Sequence, residues 1–353
     1  MNQKIHNLNK RQDLILNLIE DEQEISMSQI VEFIDKKSIK ATRITISRDL
    51  KELLKLNLII KHGKGRGVTY KLSLFFNLIK PIDVEKYFKT EVDDRQILKN
   101  FNFDLLDNFK NIFTKNEQDE LEKLTEKYRS NLKKLSKTLI KKEFERLAID
   151  LSWKSSQIEG NTYTLLETEH LINEHKESSG RTKEEALMIL NHKQTLDYIY
   201  KNINDFKKIN IAKLENIHYL LTKDLGVSRN LRKRMVRITG TNYKPLDNQF
   251  QIKEALEKTC LIINKEKDSM AKALMVIVLI SYIQPFEDGN KRTGRLIGDA
   301  ILLAYNLCPL SFRSVDKIEY KKSILLFYEQ NNINYFKELF IDQYQFAIEN
   351  YFE

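Results

Sequence analysis

The stretch QPFEDGNKRTGR, from Gln284 to Arg295, gathers the side chains of this 353-residue chain best suited to phosphate chemistry. Asp288 can hold magnesium, a cation usually shared between a carboxylate and phosphate oxygens. Gly289, Asn290 and Lys291 form a turn whose backbone N–H groups could cradle phosphates at the start of a following helix. Arg292 and Arg295, three apart, share a helical face and can both reach phosphate oxygens. Phe286 is expected to point into the core and fix the loop. The residue best placed for proton transfer is Gln284, and a neutral amide cannot remove a proton near pH 7. The bland alternative is a tight, charged connection between two helices. A second candidate lies in SSQIEGN, residues 155–161, where Ser155 and Glu159 are four apart on one helix face and Gly160 can end the helix just afterwards.

These groups need rigid elements to position them, and the punctuation of the chain predicts helices. No glycine occurs between Gly67 and Gly160 and no proline between Pro81 and Pro245. Leu121, Leu124, Tyr128, Leu132, Leu135, Leu139, Phe144 and Leu147 recur at helical spacing. Paired helices are predicted, with a hinge at residues 76–84. A content of 41% hydrophobic and 31% charged residues reads as soluble and globular, with length enough for two domains. The apolar run Ala273–Ile283 is too short to span a bilayer, and the first residues lack the apolar stretch of a signal peptide. No membrane partner and a cytoplasmic location are therefore expected. Cys260 and Cys308 lack metal-ligand spacing and read as two buried thiols.

The net charge of +9 is local: residues 36–75 hold 11 Lys or Arg against 2 acids, and the rest of the chain balances. Such a patch is the footprint of a polyanion binder. QDLILNLIEDE and SMSQIVEFID carry apolar residues at helical spacing, with Ser26 or Ser28 able to cap the second. TRITISRDLKELLKLNLI is predicted as a third helix, with Ile44, Leu50, Leu53, Leu54 and Leu58 toward a core and Arg43, Thr45, Ser47, Arg48 and Lys51 mostly elsewhere. LIIKHGKGRGVTYKL alternates like two strands around a basic tip at Lys64 and Arg66. Three helices followed by a basic hairpin resemble a winged helix-turn-helix of the bacterial regulator type, placing that domain at 1–75. The resemblance implies that Arg43, Thr45 and Arg48 meet the major groove of double-stranded DNA and that Lys64 and Arg66 touch phosphates. A winged helix used for protein contacts is the alternative.

The 284–295 stretch resembles the motif of the Fic family, His-x-Phe-x-Asp/Glu-Gly-Asn-Gly/Lys-Arg-x-x-Arg. Every defining position matches except the first, where Gln284 stands in place of histidine. SSQIEGN is similar to the family's inhibitory helix, and MVRITGTNYKPLDNQF resembles its flap, which pairs with target backbone. The resemblance implies a mainly α protein: an all-helical Fic fold with a small β-hairpin flap at 85–353, preceded by the α+β winged helix. Within it the inhibitory helix falls at about 150–161, the flap at about 236–247 and the motif at 284–295. The implied activity is transfer of AMP from ATP to a Ser, Thr or Tyr hydroxyl of a protein, the chain itself included. In that scheme Asp288 holds Mg2+, Gly289, Asn290 and Lys291 hold phosphates, and Arg292 stabilises their charge. Glu159, steadied by Ser155, pairs with Arg295 and holds the enzyme off, while Thr239, Gly240 and Thr241 belong to the flap. Lys291 also occurs in the Doc branch, whose members transfer phosphate, so a protein kinase is a second expectation. A catalytically silent, nucleotide-sensing regulator is a third, because the family's histidine takes the proton that Gln284 cannot. His170, His175 and His192 are the candidate replacement bases, and a homodimer is compatible with every reading.

Overall fold

The computed structural model describes residues 8–110 and 112–353, and the side chain of Arg66 lies outside the described residues. Helix takes 64% of the chain and strand 3%, a mainly helical fold as expected. The N-terminal unit holds α1 (Lys10–Glu22), α2 (Met27–Lys36) and α3 (Arg43–Lys55). Asn9 and Ser26 open the first two with capping boxes, and Thr42 caps the third by accepting from the Thr45 N–H. Strands β1 (Ile25–Ser26), β2 (Ile59–His62) and β3 (Thr69–Leu72) form an antiparallel sheet in the order β1-β3-β2, with Ile59 opposite Leu72 and His62 opposite Thr69. The Glu24 carboxylate holds this sheet by accepting from the Thr69 hydroxyl and pairing with Lys71.

The core face of α3 differs from the expected one. Ile46, Leu50 and Leu53 are buried and Ile44 is 66% exposed. Positions 46, 50 and 53 follow the helical repeat, whereas 44 and 50 do not share a face. The stretch expected as a hinge, residues 76–84, overlaps a helix. Helix α4 (Leu74–Ile79) buries Phe75, Phe76, Leu78 and Ile79, and Asn332 donates its Nδ2 to the carbonyls of Asn77 and Lys80, each at 2.8 Å. At its other end the Ser73 hydroxyl donates to the Asn57 carbonyl, so this apolar helix makes a packed joint.

Beyond it come α5 (Val84–Phe88), α6 (Asp104–Asn108), α7 (Lys115–Lys134), α8 (Lys137–Ile158), α9 (Leu165–Glu174), α10 (Lys183–Lys201), α11 (Ile211–Thr222) and α12 (Gln249–Lys265). The last four are α13 (Ser269–Ile283), α14 (Asn290–Ala304), α15 (Lys317–Gln330) and α16 (Asn334–Tyr351). Every residue of α13 from Met270 to Ile283 is buried, which explains an apolar run in place of a stripe. Helix α14 lies tightly against it. A Cβ on Gly294 would come 3.0 Å from the Ile277 carbonyl oxygen, and one on Gly298 2.7 Å from Ile277 Cδ1. The loop joining this close pair begins the 284–295 stretch, so its place is fixed by the core. Cys260 and Cys308 are buried free thiols. No helix among the described residues is long and apolar enough to cross a membrane. The segment 236–247 runs extended around a turn at Thr239–Gly240 with no ladder of its own. Pro245 has no N–H to donate, and Lys244 instead bridges to Asn100 of another segment.

Candidate active site

A cavity of about 510 Å³ opens where the end of α8, the 236–240 segment, the 284–292 loop and α15 meet, within the range of small-molecule sites. Glu159, Arg237, Gln284, Asp288, Lys291 and Tyr328 are among its lining residues. Gln284 ends α13 in the left-handed region, at φ 51° and ψ 59°. Its amide is tied down: Nε2 donates to the Ser281 carbonyl at 2.6 Å, and Oε1 accepts from Asn290 Nδ2 at 3.0 Å. Asn290 also accepts from the Phe286 N–H at 2.8 Å and donates to the Phe286 carbonyl at 2.9 Å. Its side chain, expected on phosphate, is engaged in stapling the loop. Gly289, at φ 78°, opens α14 without a side-chain cap, so the first N–H groups of that helix have no intrahelical acceptor. A Cβ there would meet Thr222 Cγ2 at 3.1 Å.

Beneath the loop lies a cluster of charge. Arg295, fully buried, donates Nε to Ser155 Oγ at 3.0 Å, and Nη2 to the Ser155 carbonyl and to Glu159 Oε1, each at 2.9 Å. Glu159 Oε2 accepts from Lys291 Nζ at 3.1 Å, a contact the sequence did not suggest. Burial favours protonation of Glu159, but the charges of Arg295, Lys291 and Arg292 outweigh it and hold the pKa at about 2. Arg292 is 2% exposed and donates Nη2 to Asp288 Oδ2 at 2.8 Å, while its Nε and Nη1 have no partner among the described residues. A buried guanidinium with free N–H groups beside an uncapped helix start is suited to an anion. Among the described residues no cluster of three or more His, Cys, Asp or Glu could hold a metal by itself. The exposed carboxylate of Asp288 at the cavity fits magnesium, which takes its other ligands from water and phosphate.

The three expected replacement bases are elsewhere. His170 and His175 are exposed, His192 is fully buried with Nδ1 3.2 Å from Ser152 Oγ, and none lines the cavity. Two residues with no motif around them do support the loop. His218 of α11 stacks on Phe286 at 3.7 Å and donates Nε2–H to the Asp288 carbonyl at 3.0 Å; burial lowers its pKa to about 4, so it is neutral. Buried Arg232 donates Nε to the Gln284 carbonyl at 2.5 Å, Nη1 to that of Arg234 at 2.8 Å, and Nη2 to that of Leu246. It caps α13 and ties in both ends of the 236–247 segment. Thr239 and Gly240 line the cavity, whereas Thr241 does not and accepts from the Tyr243 N–H at 3.1 Å. In the N-terminal unit Arg43 and Arg48 are exposed on α3, Lys64 is exposed between β2 and β3, and Thr45 is half-buried beside the Thr42 hydroxyl.

Residues 208–302, from before α11 to within α14, match the Fic/DOC family model. They are similar to a Fic/DOC family domain. His218, Arg232, the extended segment and the 284–295 motif all lie inside it. Protein adenylyltransferase Fic of Nematostella vectensis is 26% identical over 175 residues, which are 48% of this chain and 40% of that protein. The chain therefore spans less than half the length of that relative. Among solved structures, Fic-1 from C. elegans superimposes with a TM-score of 0.56 at 16% identity, over 67% of this chain and 71% of the other. A Fic domain containing signaling protein from Bacteroides thetaiotaomicron does so with a TM-score of 0.54 at 20% identity, over 65% and 96%. At these identities the structural likeness is one of fold.

Proposed function

We propose that the chain is a Fic-type protein adenylyltransferase, transferring AMP from ATP to a Ser, Thr or Tyr hydroxyl of a protein, held off by Glu159 and slowed by Gln284. The observation that carries this is Arg292, a buried guanidinium with unpartnered N–H groups at the start of α14 and on the wall of the cavity. Those groups and the first amides of α14 bind the phosphates. Asp288 would hold magnesium, which neutralises charge on the phosphates when bound. Glu159 takes up Arg295 and Lys291, the two further cations that face the same anion, and so competes with it. The N–H and C=O groups of Val236, Arg237, Ile238 and Thr239 have no hydrogen-bond partner among the described residues, an open edge that supports strand addition by the target. Gln284 can align the target hydroxyl by a hydrogen bond without taking its proton, a loss of roughly 10²- to 10⁴-fold in rate.

A second reading, a silent nucleotide sensor, is favoured by the commitment of the Gln284 amide to Ser281 and Asn290. In either reading the exposed basic residues of α3 and the wing support binding to duplex DNA. The deciding experiment incubates the chain, Gln284→His and Glu159→Gly with α-labelled and γ-labelled ATP and a lysate. Label from the α position supports AMP transfer, label only from the γ position supports a kinase, and MgATP binding without any transfer supports the sensor.

A further inference from the structure

We infer that Arg95 is a positioning residue for the flap, and that the segment from Val92 to Asn100 is the flap's permanent outer partner. The consequence for catalysis rests on the adenylyltransferase reading; the geometry does not. Arg95 and Glu329 form a buried pair, with side chains 4% and 1% exposed and Nη1 donating to Oε2 at 3.1 Å. The Tyr87 hydroxyl donates to the same Oε2 at 2.7 Å. The other arm of the guanidinium donates Nη2 to the Gly240 carbonyl at 2.7 Å. Arginine suits this position because its planar fork serves two acceptors at once, a carboxylate and a carbonyl. Gly240 sits at φ 88° at the turn, and a Cβ there would lie 3.4 Å from Leu325 Cδ1 of α15.

Neighbouring contacts continue the hold. Asn242 Nδ2 donates to Asp93 Oδ1 at 2.9 Å, and the Lys244 N–H donates to the Lys99 carbonyl at 2.7 Å. From Gly240 to Lys244 the flap is thus held by chain from the 92–100 segment, whereas Val236 to Thr239 stay unpaired beside the cavity. An incoming target strand finds an open edge beside the cavity at Val236–Thr239. Glu329 follows Tyr328, whose hydroxyl is 3.5 Å from Gln284 Nε2, so one turn of α15 registers the flap against the catalytic position.

The test pairs two substitutions. Arg95→Ala alone leaves Glu329 as an unpaired buried charge and can unfold the protein, so the arbiter is the double variant Arg95→Met/Glu329→Leu, which removes both charges together. Trypsin cleavage after Lys233, Arg234 and Arg237, read without nucleotide, reports flap opening. Loss of a charged hydrogen bond should raise it roughly tenfold or more in the double variant, with an unchanged thermal midpoint. MgATP affinity should stay within about twofold, because no phosphate-binding group is touched. In a Gln284→His/Glu159→Gly background the KM for the protein target should rise while kcat changes little. Unchanged cleavage in a folded double variant overturns the assignment, and so does equal weakening of ATP and target binding. If no background transfers label, the adenylyltransferase reading fails, while the proteolysis result still decides whether Arg95 anchors the flap.

Discussion

Replacing Glu159 with glycine removes the carboxylate that occupies Arg295 and Lys291, and the size of the effect follows from its surroundings. Burial opposes its charge, yet the three cations bring its pKa from 4.5 to about 2. A depression of about 2.5 units corresponds to roughly 3 kcal/mol. Because the folded pKa lies below the unfolded one, this stabilisation is complete above pH 4.5 and is lost as the pH falls from there toward 2. At pH 7 the ligand-free Glu159→Gly protein should therefore be less stable by roughly 3 kcal/mol, with Arg295 left as an unpaired buried charge. Arg295 and Lys291 are freed for a bound polyanion, so MgATP affinity should rise by a factor within the roughly 5- to 150-fold typical of coupled sites. Calorimetry at pH 7 with and without MgATP reads the affinity and the thermal midpoint. Unchanged affinity in a destabilised variant would show that Glu159 supports the fold without opposing nucleotide.

Three other outcomes follow from the same geometry. Gln284→His in the Glu159→Gly background should raise transfer from α-labelled ATP by about 10²- to 10⁴-fold, since histidine is at ease in the left-handed region; silence with intact MgATP binding favours the sensor. Gly289→Ala should cost about 1–3 kcal/mol in denaturant unfolding and weaken MgATP, and a neutral result would remove the strained turn from the explanation. The full chain should bind duplex DNA with an affinity that falls steeply with salt, and Arg43→Glu/Lys64→Glu should flatten the logarithmic salt slope by about two; an unchanged slope would exclude α3 and the wing tip from the interface.

What could be read from the sequence was what repeats or clusters along it. Ser155, Glu159 and Arg295 meet because a four-residue spacing puts the first two on one helix face and a motif locates the third. Gly289 is legible because a left-handed turn before a helix calls for glycine. His218, Arg232 and Arg95 were not legible. Their partners are carbonyls and a ring distant in sequence, and a carbonyl has the same identity at every position. Ile44 was misplaced because a short helix with isoleucines at 44 and 46 offers two apolar faces, and packing against the rest of its unit selects one.

The packed joint at α4 bears on any assembly of this chain along DNA. With both phenylalanines buried and Asn332 holding the far end, the N-terminal unit is packed against the helices that follow. The way α3 sits on a duplex would then also set the compass direction in which the cavity opens. Two copies on half-sites one helical turn apart, about 34 Å, would face the same side of the DNA. Inserting about five base pairs would turn one cavity to the opposite side. Operator spacing would thereby govern whether one copy can offer its hydroxyls to the other, a phase dependence that a loosely tethered pair would not show.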